Sequence, residues 1–517
     1  MNHWLVVPIV LPAFVGPLIV LGMRQDQILQ RVFSTAATAL QLLLAILLML
    51  QAMGGEVQVY RLGNWAAPFG IVLMLDRLSA LMLVLAAVVG LIVQLYAIGS
   101  GWDRRGRHFH ALWQFQLMGI NGAFLTGDAF NLFVFFEILL IASYGLMIQS
   151  GGELRLRAGV QYVIYNLAGS SLFLAALGTI YSATGTLNMA DLALRVAQMP
   201  ATDTAVLRVG AVLLMLVFAI KAALVPLHFW LPSTYARAPG PVAALFAIMT
   251  KVGIYGIIRF FTLVFPADSV VERFAADILL PAALVTLIVG QLGVLGSRHL
   301  GRMAAFAALG SVGTLTIAVA QFRLPGLTAG IWYLVHSTLA TAALFLAVDL
   351  IGTRRRDASL WLRPAPPIGQ AGIVAALYFA AAIGMAGLPP LSGFLGKLAV
   401  LQAVRNGEGT AVMWGVILVT SLFAIIGLAR AGSLVFWKAH AAEDFPPDRG
   451  EPDEPPHDRG FPSAALALTA TGALVAGMVA LTVLAGPMMR YADATARQLI
   501  DPAPYVAAVL DRQEGVK

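Results

Sequence analysis

Stretches of about 20 apolar residues recur along the whole chain, and an apolar stretch of that length crosses a bilayer as one helix. With 59% hydrophobic and only 11% charged residues, the chain has too little polar surface to cover such stretches in water. The pattern predicts an all-α polytopic membrane protein. Spans are expected over 4–23, 32–53, 74–99, 111–126, 129–148, 158–184, 204–237, 241–264, 275–297, 302–321, 326–350, 370–404, 411–437 and 463–487. That makes about fourteen, and two of them, 204–237 and 370–404, are too long for one straight crossing.

Composition excludes several classes of chemistry. There is no cysteine, which removes disulfides, cysteine-ligated iron–sulfur clusters and cysteine zinc sites. No Gly-rich nucleotide loop, Walker A sequence or His-Glu-x-x-His occurs. No cofactor, no metal and no enzymatic activity are therefore expected. The net charge of +7 does not point to nucleic acid, because most arginines stand in short loops between spans, where they set topology. No Lys or Arg precedes the first apolar run, so it lacks the charged leader of a cleaved signal peptide and reads as a retained span.

The arginines alternate between the two sides. One side receives Arg24, Arg31, Arg104, Arg105, Arg107, Arg155, Arg157, Arg237, Arg298, Arg302, Arg354, Arg355, Arg356 and Arg363; the other has mostly single arginines, such as Arg61, Arg195, Arg273 and Arg323. Positive charge retained inside makes the first side cytoplasmic and puts both termini outside, in a periplasm-like space. Residues 54–73, GGEVQVYRLGNWAAPFGIVL, predict an external β-hairpin. Residues 441–462, rich in Pro, Asp and Glu, predict a cytoplasmic loop without packing capacity. The tail from 488 reads as an amphipathic interfacial helix.

The informative residues are ionisable groups inside spans: Glu137 in NLFVFFEILLIASYGLM, Lys221 in the seventh span, Lys251 in ALFAIMTKVGIYGII, His336 in IWYLVHSTLATAALFL, and Lys397 in GMAGLPPLSGFLGKLAVL. A charge at the bilayer centre costs about 3 kcal/mol or more, so such groups face protein or water and mark function. A buried ion pair that only fixes helix packing is the alternative for any one of them. Five in five separate spans argue for more than packing. Desolvation favours the neutral form of an amine, a neighbouring carboxylate the charged form, so a Glu–Lys pair can act as a proton switch. His228 and Asp349 are secondary candidates; Arg259 and Arg430 read as snorkelling, Asp76 and Asp128 as solvated caps or loop anchors at the external border.

Pro226 and Pro232 interrupt one long span, and Pro389 and Pro390 the other. Proline removes a backbone hydrogen bond, and the freed carbonyl at membrane depth needs a partner. Interrupted helices in two halves of a transporter point to its path. Each break adjoins a lysine, Lys221 before the first and Lys397 after the second. This predicts two related five-span units, a first at 111–264 and a second at 275–437; if they are inverted, one opens to each side of the membrane. Residues 1–110 then form an N-terminal three-helix segment with the hairpin, and 438–517 the cytoplasmic loop, last span and tail.

FVFFEILLIASYGLM, KAALVPLHFWLPSTYARAPGPVAALFAIMTKVGIYGIIR and GLPPLSGFLGK resemble the antiporter-like membrane subunits shared by respiratory complex I and the multisubunit Mrp/Pha-type cation/proton antiporters. The resemblance covers nearly the whole chain and is greatest to the D-type subunits of the Mrp/Pha antiporters. It implies fourteen helices with two inverted five-helix repeats, each with one broken helix, in a bacterial plasma membrane. It also implies that Glu137 and Lys221 form the acidic–basic pair, that Lys251 connects, and that His336 and Lys397 serve the second half. Lys397 departs from a related complex I subunit that has glutamate there, and HSTLATAALF lacks a lysine that several relatives place after the histidine.

Three functions compete at this point. The first is the proton-translocating subunit of a Na⁺(K⁺)/H⁺ antiporter, with other membrane subunits, protons, Na⁺ or K⁺ and membrane lipid as partners. The second is a proton-pumping membrane subunit of a complex I-like NADH:quinone oxidoreductase. The third is a scaffold, against which the mid-membrane charges argue.

Overall fold

A computed structural model describes residues 3–200, 204–265, 270–355, 358–438 and 463–510, without the side chains of 270, 272 and 273. The expected loop at 441–462, Arg356 and the Arg273 side chain lie outside the described residues. Nineteen α-helices, one hairpin and a few short 3-10 or π turns make up the regular structure of the described chain. In order they are α1 (Val7–Gly22), α2 (Gln27–Ala52), β1 (Gln58–Arg61), β2 (Val72–Leu75), α3 (Arg77–Ser100), α4 (Phe109–Leu125), α5 (Ala129–Ile148), α6 (Glu153–Thr184) and α7 (Met189–Gln198). Then come α8 (Ala205–Ala222), α9 (Trp230–Arg237), α10 (Gly240–Leu263), α11 (Val270–Gly296), α12 (Leu300–Val319) and α13 (Leu324–Gly352). The last are α14 (Ala371–Ala386), α15 (Ser392–Ala403), α16 (Thr410–Gly432), α17 (Ala464–Val483), α18 (Ala485–Ile500) and α19 (Ala503–Leu510).

Eleven of the described helices are long and apolar enough to cross a membrane, and α1 and α14 are shorter apolar helices. Local chemistry sets their ends. Asp26 accepts from the Ile28 and Leu29 amides at the start of α2, Asp76 forms a capping box with Ser79 on α3, and Ser463 caps α17. Gly101 and Gly185 close α3 and α6 at φ 77° and 70°, where a side chain would be strained.

Burial sorts the helices into a centre and a rim. The apolar windows of α10, α12 and α13 are 100%, 89% and 94% buried, whereas those of α2, α6 and α16 are 39% or less. The rim turns leucine, isoleucine and valine outward, including Leu50, Ile164 and Val412, as hydrocarbon contact requires. Two of the three central helices, α10 and α13, bear Lys251 and His336.

The hairpin forms as expected, with β1 antiparallel to β2 and Tyr60 opposite Leu73. The tail helix α18 is amphipathic, but its buried face, with Tyr491, Thr495 and Leu499, lies on protein: it packs on α13, α10 and α3. The Arg77 amide donates to Gln498, Gln498 donates to the Gly55 carbonyl, and the Tyr491 hydroxyl donates to the Arg77 carbonyl, so the tail is fastened to the hairpin and to the head of α3.

Two border expectations are overturned. Arg259 does not snorkel and Asp76 is not a solvated cap: they are 3% and 2% exposed and form a bidentate pair at 2.5 and 3.0 Å. A guanidinium reaching outward from α10 would leave Asp76 buried without a counter-charge, which costs more than the pair does. Arg430 is exposed and donates to the Ser297 carbonyl at 2.7 Å.

Candidate functional site

The first long span breaks at Pro226 and the second at Pro389 and Pro390; Pro232, also expected to interrupt the first, stands instead in the opening turn of α9, where a helix leaves its amides without partners. The first interruption covers 223–229, between α8 and α9; the second covers 387–391, between α14 and α15. Protein groups take up the loosened backbone. Trp230 Nε1 donates to the Ile220 carbonyl at 2.9 Å, and the Val225 amide donates to Thr286 Oγ1 of α11 at 2.9 Å.

Lys221 occupies the last turn of α8 and is 5% exposed. Its Nζ donates to Asn166 Oδ1 of α6 at 3.4 Å and stands 5.9 Å over the Phe136 ring. Glu137, half-buried on α5, accepts from Ser170 Oγ, one turn beyond Asn166 on α6. The acidic and basic groups thus meet α6 one turn apart, Glu137 at Ser170 and Lys221 at the Asn166 side chain, and Ser170 Oγ also donates to the Asn166 backbone carbonyl at 3.0 Å. An amide and a hydroxyl can each donate and accept, so this bridge suits a changing charge state.

Lys251 is fully buried on α10, with Thr250 Oγ1 3.5 Å from its Nζ. The helices of Lys221 and Lys251 touch backbone to backbone. A Cβ on Gly253 would lie 2.7 Å from the Ala222 nitrogen and 3.0 Å from the Lys221 carbonyl carbon, and one on Gly256 would meet the Phe218 ring at 2.5 Å. Only glycine permits that approach.

The second break has its own cluster. His336, 1% exposed on α13, shares a 2.8 Å hydrogen bond between Nδ1 and Ser392 Oγ at the start of α15. It also meets the Gly384 carbonyl near the end of α14, so one imidazole spans both stubs of the broken helix. Lys397, 8% exposed, donates to the Ala386 carbonyl at 2.7 Å and to Ser421 Oγ of α16 at 2.8 Å. Ala386 is the last residue of α14, and the carbonyl end of a helix carries partial negative charge that suits a cation.

The secondary candidates stand apart. His228 lies in the first interruption, 8% exposed, its ring centroid 4.4 Å from that of Phe229. Asp349 sits near the arginine-rich end of α13 and accepts from Tyr96 at 2.6 Å and from Trp102 Nε1 at 3.0 Å, an anchoring arrangement. Among the described residues, no group of three His, Asp or Glu is placed to hold a metal ion. Asn166, Ser170, Ser392 and Ser421 escaped the sequence reading; the one signal was polar residues a turn apart, Asn166 and Ser170, inside an apolar run.

The family described as NADH:quinone oxidoreductase/Mrp antiporter, TM, matches residues 126–425, which include both broken helices. The chain belongs to this family. A second family, described as NADH-ubiquinone oxidoreductase (complex I), chain 5 N-terminus, matches residues 62–99. Within the Mrp antiporter family, the chain is 38% identical to the D-type subunit of a probable K⁺/H⁺ antiporter of Rhizobium meliloti, covering 99% of this chain and 98% of that one. It is 35% identical to the D-type subunit of the Na⁺/H⁺ antiporter of Bacillus subtilis, over 99% and 100% of the two chains. A chain in the structure of the Mrp complex from Dietzia sp. superposes with a TM-score of 0.88 at 28% identity, over 99% of this chain and all of that one. Respiratory complex I from Thermus thermophilus contains a chain of the same fold, with a TM-score of 0.78 at 24% identity over 96% and 99%. These Mrp relatives mark the chain as a member of the D-type branch.

Proposed function

We propose that the chain carries protons across the membrane as one subunit of a multisubunit Na⁺(K⁺)/H⁺ antiporter. The observation that bears the reading is the pair of buried polar clusters, each at a broken helix, with the buried Lys251 on α10, the last helix of the first unit, which packs on both α8 and α13. Protons pass along Glu137, Lys221, Lys251, His336 and Lys397. The bridging hydroxyls and amide, Ser170, Asn166, Ser392 and Ser421, hand them between helices with water.

A lysine in this row alternates between states by geometry. Burial favours the neutral amine, and an approaching carboxylate or a helix-end carbonyl favours the ammonium. Lys221 and Glu137 are one bridge apart, so a small rearrangement of Asn166 or Ser170, or an inserted water, changes their coupling. His336 touches both stubs of the second break, where the same rearrangement would open or close its link to Lys397.

The eleven long helices, with α1, α4 and the α14–α15 crossing added, bring the span count to fourteen, in two inverted five-helix units over 111–264 and 275–437. Five crossings per unit is an odd number, so the second unit enters from the opposite side. Both termini lie outside a bacterial plasma membrane by the arginine distribution. The names of the relatives favour the antiporter over the complex I-like pump. The test is cation-induced proton flux in vesicles containing the assembled complex. Lys221→Ala is expected to lower it sharply, and wild-type flux in that variant removes Lys221 from the route.

A further inference from the structure

A second polar feature lies away from the lysine row, in the N-terminal helices. Ser34, Thr38 and Gln41 of α2, Gln94 of α3, and Gln114 and Asn121 of α4 are all buried, none more than 3% exposed. Gln114 Nε2 donates to the Ser34 carbonyl at 3.1 Å and to Thr38 Oγ1 at 3.1 Å, and Gln94 Nε2 donates to Ser34 Oγ at 2.7 Å. Asn121 Nδ2 donates to Gln41 Oε1 at 3.2 Å and to the Pro8 carbonyl of α1 at 2.9 Å. Pro12 has no amide to offer that carbonyl, so α1 itself supplies an acceptor to the seam.

One end of the seam meets a buried titratable pair near the arginine-rich side. Asp103 accepts from Arg31 at 2.5 and 2.9 Å, and its carboxylate stands 3.2 Å from His110 Nε2. A carboxylate on Nε2 fixes the proton there and makes Nδ1 of the neutral ring the acceptor. That Nδ1 is buried and has no partner among the described residues. His110 and Gln114 are one turn apart on α4, and Arg31 and Ser34 nearly one turn apart on α2, so the pair opens onto the seam. From His110 to Asn121 the seam runs about 16 Å along α4, at 1.5 Å per residue.

Hydrogen bonding between helices is ordinary glue in membrane bundles, and Ser34 with Gln114 would serve as such. Glue, however, satisfies its own polar atoms. Here Gln94 Oε1, Gln114 Oε1 and Gln41 Nε2 are buried without partners, as is His110 Nδ1. Each such orphan is unfavourable unless water or another polar group meets it. The set includes acceptors and a donor, which a bound cation would not satisfy together but water does.

We propose that this seam is a second hydrated track, taking water and passing protons inward from the Asp103–His110 pair, independent of Lys221. The water binds the orphaned amide atoms and the Ser34 and Thr38 hydroxyls. Only the proton step rests on the reading of the chain as a proton carrier; the hydration does not.

The absence of cysteine makes the test direct. Ser34→Cys and Thr38→Cys, each in the full chain within the assembled complex, are treated with a small water-soluble thiol reagent and the mass of this chain is followed. Both are expected to react about tenfold or more faster than Leu83→Cys, a buried apolar position, because a thiolate forms and reacts only where water reaches it. Modification is expected to cut proton flux in the same vesicles. Reaction no faster than at Leu83→Cys overturns the hydration, and complete modification with unchanged flux overturns the proton step. A failed Lys221→Ala test would leave both readouts standing, so the two readings fail separately.

Discussion

The Lys397 ammonium donates to the Ala386 carbonyl at 2.7 Å, so the lysine that follows the second break ties its own helix to the end of the one before. Replacing it by methionine removes a charge-assisted bond and leaves that carbonyl buried. Lys397→Met is expected to lower proton flux at least about tenfold, or about 1.4 kcal/mol, near the low end for a bond to a charged group. Lys397→Arg is no substitute, since Gly387 leaves no room beside the stem: a Cβ on that glycine would already lie 2.6 Å from Lys397 Cδ. Flux near the wild-type level in Lys397→Met, with normal complex on a native gel, contradicts this.

Asp76 and Arg259 should be separable from transport by a double substitution. Asp76→Ala strands a buried guanidinium and is expected to cost about 3–5 kcal/mol, seen as loss of assembled complex. Asp76→Leu combined with Arg259→Met removes both charges and is expected to restore assembly. If the double variant assembles no better than Asp76→Ala, the pair is more than a structural lock.

Much of this was open to sequence reading, and the limit has a physical reason. Glu137, Lys221, Lys251 and Lys397 declare themselves because a charge in an apolar run is costly and must face protein or water. Pro226 and Pro389 declare the breaks because a ring cannot continue the ladder. Ser421 and Ser170 give no such sign. A serine in a membrane helix usually bonds its own backbone, and both do so here, Ser421 to the Ile417 carbonyl and Ser170 to that of Asn166. Only packing shows that they also face Lys397 and Glu137. The Asp76–Arg259 pair bridges 183 residues, and hydropathy places each at the end of a span without pairing them.

Glycine substitutions offer a matched comparison. At Gly253 a Cβ would sit 2.7 Å from the Ala222 nitrogen, and Gly253→Ala is expected to destabilise the protein by about 1–3 kcal/mol through overpacking. At Gly415, on α16, a Cβ would meet nothing within 4 Å, and alanine there is expected to be neutral or to stabilise by up to about 1 kcal/mol. Thermal melting of the purified complex reads both; equal melting points for the two variants would contradict the close approach of α8 and α10.

Asp103 lies outside the spans and supplies a pH signature. Burial would raise its pKa, but hydrogen bonds from His110 and Arg31 outweigh that and hold the carboxyl below its usual value. A carboxyl with a lowered folded-state pKa stabilises above its unfolded value of about 3.9 and loses that contribution as pH falls through the folded one. Between about pH 5 and pH 3 the wild type is expected to lose thermal stability more steeply than Asp103→Asn. Parallel curves for the two proteins would rule this out.

The glycine contact between α8 and α10 also limits what kind of machine this is. Two helices that interlock at their peptide planes cannot ratchet past each other by a turn without breaking the fit, so Lys221 and Lys251 keep a constant stagger throughout a cycle. In the proposed relay, whatever alternates between them must be light: a rotamer, a water, the swing of one amide. Turnover in such a device is set by how often solvent threads the gap, and it should respond to solvent isotope and viscosity more than to the stiffness of the surrounding lipid.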